Sequence, residues 1–284
     1  MSDKTVTFND KVMLPTIGQG TWYMGEKASQ RRQEVDALRA GIERGLTLID
    51  TAEMYAEGGA EEVVGEAMKG QRDKVFLVSK VYPWNAGGPK GIAACEASLR
   101  RLGTDHIDLY LLHWRGNHTL EETVGLMETL QQQGKIGRWG VSNLDYADMQ
   151  ALWQVPGGKA CATNQVLYHL ASRGIEYDVL PWCQEQQMPV MAYCPLAQAG
   201  RLRAGLLNHP VVNAIAQEYN ATAAQVLLAW VISHRGVIAI PKASSIKHVE
   251  ENADALDISL SAEALLKLDV ALPAPKQKTA LDIV

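Results

Sequence analysis

Asp50, Lys80 and His113 each close a short apolar run of this chain, and Tyr55 follows Asp50 by five residues. A phenol ordinarily loses its proton near a pKa of about 10, so a tyrosine that gives up a proton at neutral pH calls for a neighbouring cation that stabilises the phenolate. Lys80 is that cation in this reading, and Asp50 holds its ammonium charged and in place. One ammonium within about 4–6 Å, in a partly dry pocket, can lower a phenol pKa by about 1–3. His113 supplies an N–H for a carbonyl oxygen on which negative charge grows during reduction. The expected chemistry is proton delivery to a carbonyl oxygen.

These side chains lie far apart in sequence, so a fold must bring them together. Short β-branched runs alternate with amphipathic stretches, which is the pattern of βα units around a parallel sheet. The strand candidates are residues 16–20, 46–50, 75–80, 107–113, 139–142, 163–165, 190–193 and 237–240. Between them, Val35, Leu38 and Ile42 share one helical face, as do Ile92, Cys95, Leu99 and Leu102, and Leu120, Val124 and Met127. Thr119 with Glu122, and Thr222 with Gln225, read as capping boxes, and Gly45 and Gly134 suit helix C-termini. Eight strands predict an α/β fold, a (β/α)8 TIM barrel, with Asp50, Lys80 and His113 at strand ends on one face, where catalytic groups converge. The opening stretch from Val6 to Leu14 predicts an N-terminal β-hairpin, turning at Asn9-Asp10 and closing the barrel floor. Nothing rich in Pro, Gly or Ser divides the chain, so residues 1–284 are expected to form a single barrel domain.

Composition narrows the classes further. With 284 residues, 47% hydrophobic and a net charge of −5, the chain can bury one sizeable core. Scattered Lys and Arg and a pI near 5.8 disfavour a phosphate-backbone binder, so no nucleic-acid partner is expected. Cysteines at 95, 161, 183 and 194 form no CxxC and no metal-ligand spacing, and the seven histidines form no HExxH. Reduced thiols, no bound metal and a cytoplasmic location are expected. The most apolar stretch, residues 223–232, is too short to span a bilayer, so no membrane anchoring is expected either.

The run of motifs Gly18-Gln-Gly-Thr-Trp22, Asp50-Thr-Ala-Glu-Met-Tyr55, Lys80, Leu111-Leu-His113, Gly140-Val-Ser-Asn143, Asn164-Gln165, Tyr193-Cys-Pro-Leu196 and Ile240-Pro-Lys242 resembles, in order, the aldo-keto reductases. The likeness extends from about residue 12 to residue 270, and several stretches look similar to the bacterial members that reduce methylglyoxal and other small aldehydes. It implies that Asp50, Tyr55, Lys80 and His113 form the catalytic tetrad, with Tyr55 as proton donor. It also implies a nicotinamide ring stacked on Tyr193, near Leu196, with its carboxamide held by Ser142, Asn143 and Gln165, and with Gly20, Thr21, Trp22 and Asp50 beside it. Gly18-x-Gly20 is no dinucleotide fingerprint, because the third glycine and the following helix start are missing.

At the adenosine end the sequence departs from the family pattern. The resemblance assigns Lys242, Ser244, His248, Glu251 and Asn252 to the 2′-phosphate and adenine, but Ala243 lacks a hydroxyl and His248 replaces a permanently charged, bidentate arginine. Lys242 and Ser244 remain, so NADPH is still the expected cofactor, with NADH as a weaker one and discrimination between them reduced. Trp22, Trp84, His113 and Trp114 are expected to line an aromatic substrate pocket. Short segments after His113 and Leu272 imply a small or polar carbonyl, because family members lengthen them to embrace bulky ketones. A monomer is expected. Two other readings stay open: a non-catalytic, nicotinamide-binding redox sensor or regulatory barrel, and a sugar- or phosphate-processing barrel that uses no nicotinamide.

Overall fold

Successive side chains of a strand point to opposite faces, and here that alternation sorts the apolar residues into two populations. In a computed structural model, which describes residues 4–284, eight parallel strands run in sequence order around one sheet. They are β3 (Gln19–Gly20), β4 (Leu48–Asp50), β5 (Phe76–Val81), β6 (Ile107–Leu112), β7 (Ile136–Ser142), β8 (Asn164–Leu167), β9 (Val190–Tyr193) and β10 (Val237–Ala239). The two remaining strands, β1 (Thr5–Thr7) and β2 (Met13–Pro15), pair antiparallel as a hairpin.

Leu48, Phe76, Val78, Leu109, Leu111, Met191 and Ile238 fill the barrel interior, and alternate residues such as Ile49, Leu77, Tyr110 and Leu112 pack outward against the helices. Val6, Phe8 and Leu14 of the hairpin join the interior cluster, so the hairpin seals the floor. Its turn falls at Asn9-Asp10, with Lys11 in the left-handed region at φ 69°.

The sheet closes on itself. Gly18 N–H donates to Ala239 O at 2.8 Å, Ala239 N–H to Thr16 O at 2.8 Å, and Gly20 N–H to Pro241 O at 3.0 Å. These bonds explain why the first barrel strand is shorter than its expected residues 16–20: Thr16 to Gly18 bond on the β10 side, where the ladder reduces to isolated bridges. Close strand packing, against β4 on one side and the residues after β10 on the other, accounts for the paired glycines. A Cβ at Gly18 would lie 2.7 Å from Leu48 Cδ2, and one at Gly20 would lie 2.7 Å from Ile240 O. Both are required by close approach of neighbouring strands.

The helices follow the sequence signals. Thr119 and Thr222 both form complete capping boxes, with Glu122 and Gln225, at the starts of Leu120–Gln132 and Ala223–Ile232. Gly45 and Gly134 sit at φ 85° and 70° just beyond helix ends. Strand β7 begins three residues earlier than the expected 139, because Ile136 already pairs with Ile107. Among the described residues, no helix is long and apolar enough to cross a membrane.

Phe8 is 2% exposed and carries much of the floor seal. Phe8→Ala should cost about 3–5 kcal/mol of unfolding free energy, read by chemical denaturation. A loss below about 1 kcal/mol would show that the hairpin is not part of the core.

Candidate active site

The interior face of four strands turns polar at the C-terminal end. Two residues past Leu48 comes Asp50, past Val78 comes Lys80, past Leu111 comes His113 and past Met191 comes Tyr193, each on the same face as the apolar residue before it. Register adds the neighbours: Gly20 pairs with Asp50, Ser142 with Gln165, and Gln165 with Met191. A polar layer therefore caps the apolar barrel core. Tyr55 comes instead from the loop after β4, in a short helical turn whose next residues, Ala56 and Glu57, take left-handed φ of 50° and 51°.

Lys80 is fully buried, and its ammonium meets three acceptors: Asp50 Oδ2 at 2.7 Å, Thr51 O at 2.9 Å and Tyr55 Oη at 3.1 Å. Three N–H donors thus face three oxygens. Tyr55 Oη accepts from Lys80, which leaves the phenolic proton free to donate into the cavity. The second carboxylate oxygen of Asp50 accepts from Gln165 Nε2 at 2.7 Å. Gln165 O in turn accepts from Ser142 Oγ at 2.8 Å. Asn143 donates to His113 O at 3.2 Å and accepts from the Tyr193 hydroxyl at 2.8 Å.

The electrostatics differ from the sequence expectation in one respect. Burial holds the Tyr55 phenol well above its ordinary value, and the Asp50 charge adds to that. The Lys80 charge does not overcome this, with Asp50 at contact distance opposing it. Burial pushes the Asp50 carboxyl up and the Lys80 amine down, each opposed by the partner's charge. A buried pair of this kind persists only with its hydrogen bonds satisfied. Burial, and then the Lys80 charge, also hold the His113 imidazole well below its ordinary value, so it stays neutral at physiological pH. The site therefore combines a protonated phenol, a neutral imidazole and an internally compensated ion pair.

A cavity of about 520 Å³ opens over this layer. Its walls include Gly20, Thr21, Trp22, Asp50, Tyr55, His113, Trp114, Ser142, Asn143, Gln165, Tyr193, Leu196 and Lys242, all singled out in the sequence. Tyr55 lies edge-on to His113 with ring centroids 5.8 Å apart, and Trp22 stacks near Tyr55 at 6.4 Å. Trp84 does not line the cavity. It is 57% exposed, and its ring stacks on Tyr82 at 4.2 Å and meets the edge of Trp114, so it supports the pocket wall from outside. Ser244, His248, Glu251 and Asn252 also lie outside the lining. Ser244 Oγ accepts from the Lys242 amine at 3.2 Å, and His248 is an exposed residue in the first turn of the helix Ile246–Asp254. Arg115 is engaged by Asp148 at 2.9 Å.

The cavity has walls that the sequence did not signal. Arg203 follows an irregular loop after β9, and Ile283 and Val284 come from a tail without regular structure. That tail is pinned across the mouth by Lys278, which pairs with Asp145 at 2.5 Å and Asp178 at 2.9 Å. No periodicity or capping motif marks either segment.

Comparison with known proteins matches this geometry to one family. The sequence profile of the Aldo/keto reductase family matches residues 16–272. Methylglyoxal reductase YeaE of Escherichia coli (strain K12) is 72% identical over 284 residues, covering 100% of both chains. Glyoxal reductase of Bacillus subtilis (strain 168) is 34% identical, covering 93% of this chain and 91% of its own. Among solved structures, an aldo-keto reductase from Klebsiella pneumoniae in complex with NADPH superposes with a TM-score of 0.98 at 65% identity, covering 100% of each chain.

The depressed basicity of His113 sets a testable titration. Its ring resonances should not shift between about pH 8 and pH 6 in NMR, and a midpoint near 6.5 would contradict the buried, neutral state. The unfolded chain takes up this proton near its ordinary pKa and the native chain does not, so the stability owed to the neutral ring is present above about pH 6.5 and declines as acid is added.

Proposed function

The chain belongs to the aldo/keto reductase family, and from that premise we propose that it uses NADPH to reduce small aldehydes and ketones of the methylglyoxal type to alcohols. The observation that carries the reading is the chain of contacts from Asp50 through Lys80 to Tyr55, facing a cavity that His113 shares. When bound, the reduced nicotinamide supplies the hydride. The residues present fit such a group: a half-buried aromatic ring at Tyr193, the amides of Asn143 and Gln165 and the hydroxyl of Ser142 line one cavity that reaches Lys242 at its rim.

In this reading His113 and Tyr55 hold the carbonyl oxygen from two sides. Because the imidazole is neutral, His113 polarises the oxygen through its N–H and does not compete to protonate it. Tyr55 transfers its proton to the oxygen as negative charge develops there. An alkoxide is far more basic than a phenolate, so the raised phenol pKa keeps the acid loaded without blocking its transfer. Lys80, already donating to Tyr55 Oη, stabilises the phenolate left behind. Gln165 and Asp50 keep the ammonium aimed.

Trp22 and Trp114 restrict the reacting carbonyl to a narrow aromatic slot, and the tail residues Ile283 and Val284 close one side. A small carbonyl suits that enclosure. Lys242, backed by Ser244, serves the cofactor's 2′-phosphate in this reading, with His248, Glu251 and Asn252 nearby on the following helix. Cys95, Cys161, Cys183 and Cys194 are free thiols, which supports work in the reducing cytoplasm. The assembled proton-donor set weighs against a non-catalytic sensor.

Tyr55→Phe keeps the ring and removes the proton source. It should bind NADPH as the unaltered protein does and lose about 10²-fold or more in kcat for methylglyoxal, measured by NADPH oxidation. Near-normal turnover in that variant would reject the assignment of Tyr55.

A further inference from the structure

The cavity's cationic side chains are few. Apart from His113, which is neutral, its lining offers Lys242 at the rim and Arg203, half-buried on the helix Arg201–Leu207. Asp50 adds no net charge, because Lys80 compensates it. Lys242 already donates to Ser244. Arg203, by contrast, makes no hydrogen bond or ion pair among the described residues. A guanidinium on a cavity wall with no protein counter-charge presents its donors to whatever fills the cavity, and an anionic ligand group suits them.

The position of Arg203 says which anion. Burial pushes the Cys194 thiol up to about 11, and the nearby Arg203 charge pulls against that. Burial pushes the Lys242 amine down, Glu34 and Glu26 oppose this, and the Arg203 charge adds to the lowering. Strands β9 and β10 are paired neighbours, so Tyr193, Cys194 and Arg203, which follow β9, lie beside Lys242, which follows β10, and all four line one cavity. In a nicotinamide dinucleotide laid from Tyr193 to Lys242, the group between the two ends is the diphosphate.

We infer that Arg203 is a cofactor-binding residue whose planar guanidinium clamps the diphosphate of the dinucleotide, with Lys242 left to serve the 2′-phosphate. The assignment rests on the dinucleotide reading above and adds a residue to it. An arginine fork pairs with phosphate oxygens bidentately, which a lysine in the same place does not reproduce. Because NADPH and NADH share the diphosphate, Arg203 strengthens both equally and does not select between them. The clamp also supplies fixed positive charge on a chain whose following helix carries His248 in place of an arginine.

The test is equilibrium binding, read by quenching of tryptophan fluorescence, for the unaltered protein, Arg203→Gln and Arg203→Lys, each with NADPH and with NADH. Arg203→Gln should weaken both nucleotides by about tenfold or more, at an unchanged NADPH-to-NADH ratio, with Arg203→Lys recovering part of the loss. Its thermal midpoint should match that of the unaltered protein, since the side chain holds no partner. Binding of both nucleotides within about twofold of the unaltered protein in both variants overturns the assignment, and so does a loss confined to NADPH, which would move Arg203 to the 2′-phosphate. If the unaltered protein binds neither nucleotide, the dinucleotide reading fails first and this inference falls with it.

Discussion

A fully buried ammonium with each of its three donors matched to an oxygen is the constraint on which this site depends. An uncompensated charge there would be expelled or neutralised, so Lys80 requires Asp50 on the adjacent strand, and Asp50 requires Gln165 from across the barrel. Closure of the sheet makes that last contact available: Asp50 and Gln165 are 115 residues apart in sequence yet lie 2.7 Å apart. The glycines at the β3–β10 seam, the floor hairpin and the apolar interior can all be read as what keeps this small polar network in register.

The network also determines what kind of acid Tyr55 is. A lone lysine beside a phenol would lower its pKa. A lysine already neutralised by a carboxylate at 2.7 Å does so weakly, and burial then dominates. The phenol rests protonated, with its oxygen accepting from Lys80 and its proton directed to the cavity. The contribution of Lys80 is therefore largest after proton transfer begins, when the phenolate needs a partner. Differential stabilisation of this kind accelerates a reaction without strengthening ground-state binding.

Much of this was legible in the sequence, for a definable reason. Asp50, Lys80 and His113 each sit two residues beyond a buried apolar residue on the same strand face, and period-two alternation is a strong local signal. Capping boxes at Thr119 and Thr222 and the hairpin turn at Asn9-Asp10 are likewise local. The sign of the Tyr55 perturbation was not legible, because it depends on burial and on the Asp50 distance. Arg203 reaches the cavity from a short helix placed by the irregular loop before it, and the tail has no regular structure, so neither position is marked by periodicity. Trp84 lies outside the cavity lining, because loop position says on which face a side chain lies but not whether it turns inward. Here Tyr82 offers it a stacking surface outside the cavity.

The most direct test of the central claim is the ionisation of Tyr55 itself, obtained as the ultraviolet difference titration of the cofactor-free protein against its Tyr55→Phe variant. A buried phenol beside a compensated ion pair should yield no Tyr55 phenolate signal until the pH exceeds about 10. A phenolate appearing near neutral pH would contradict the account, because it would mean that the Lys80 charge reaches Tyr55 uncancelled by Asp50.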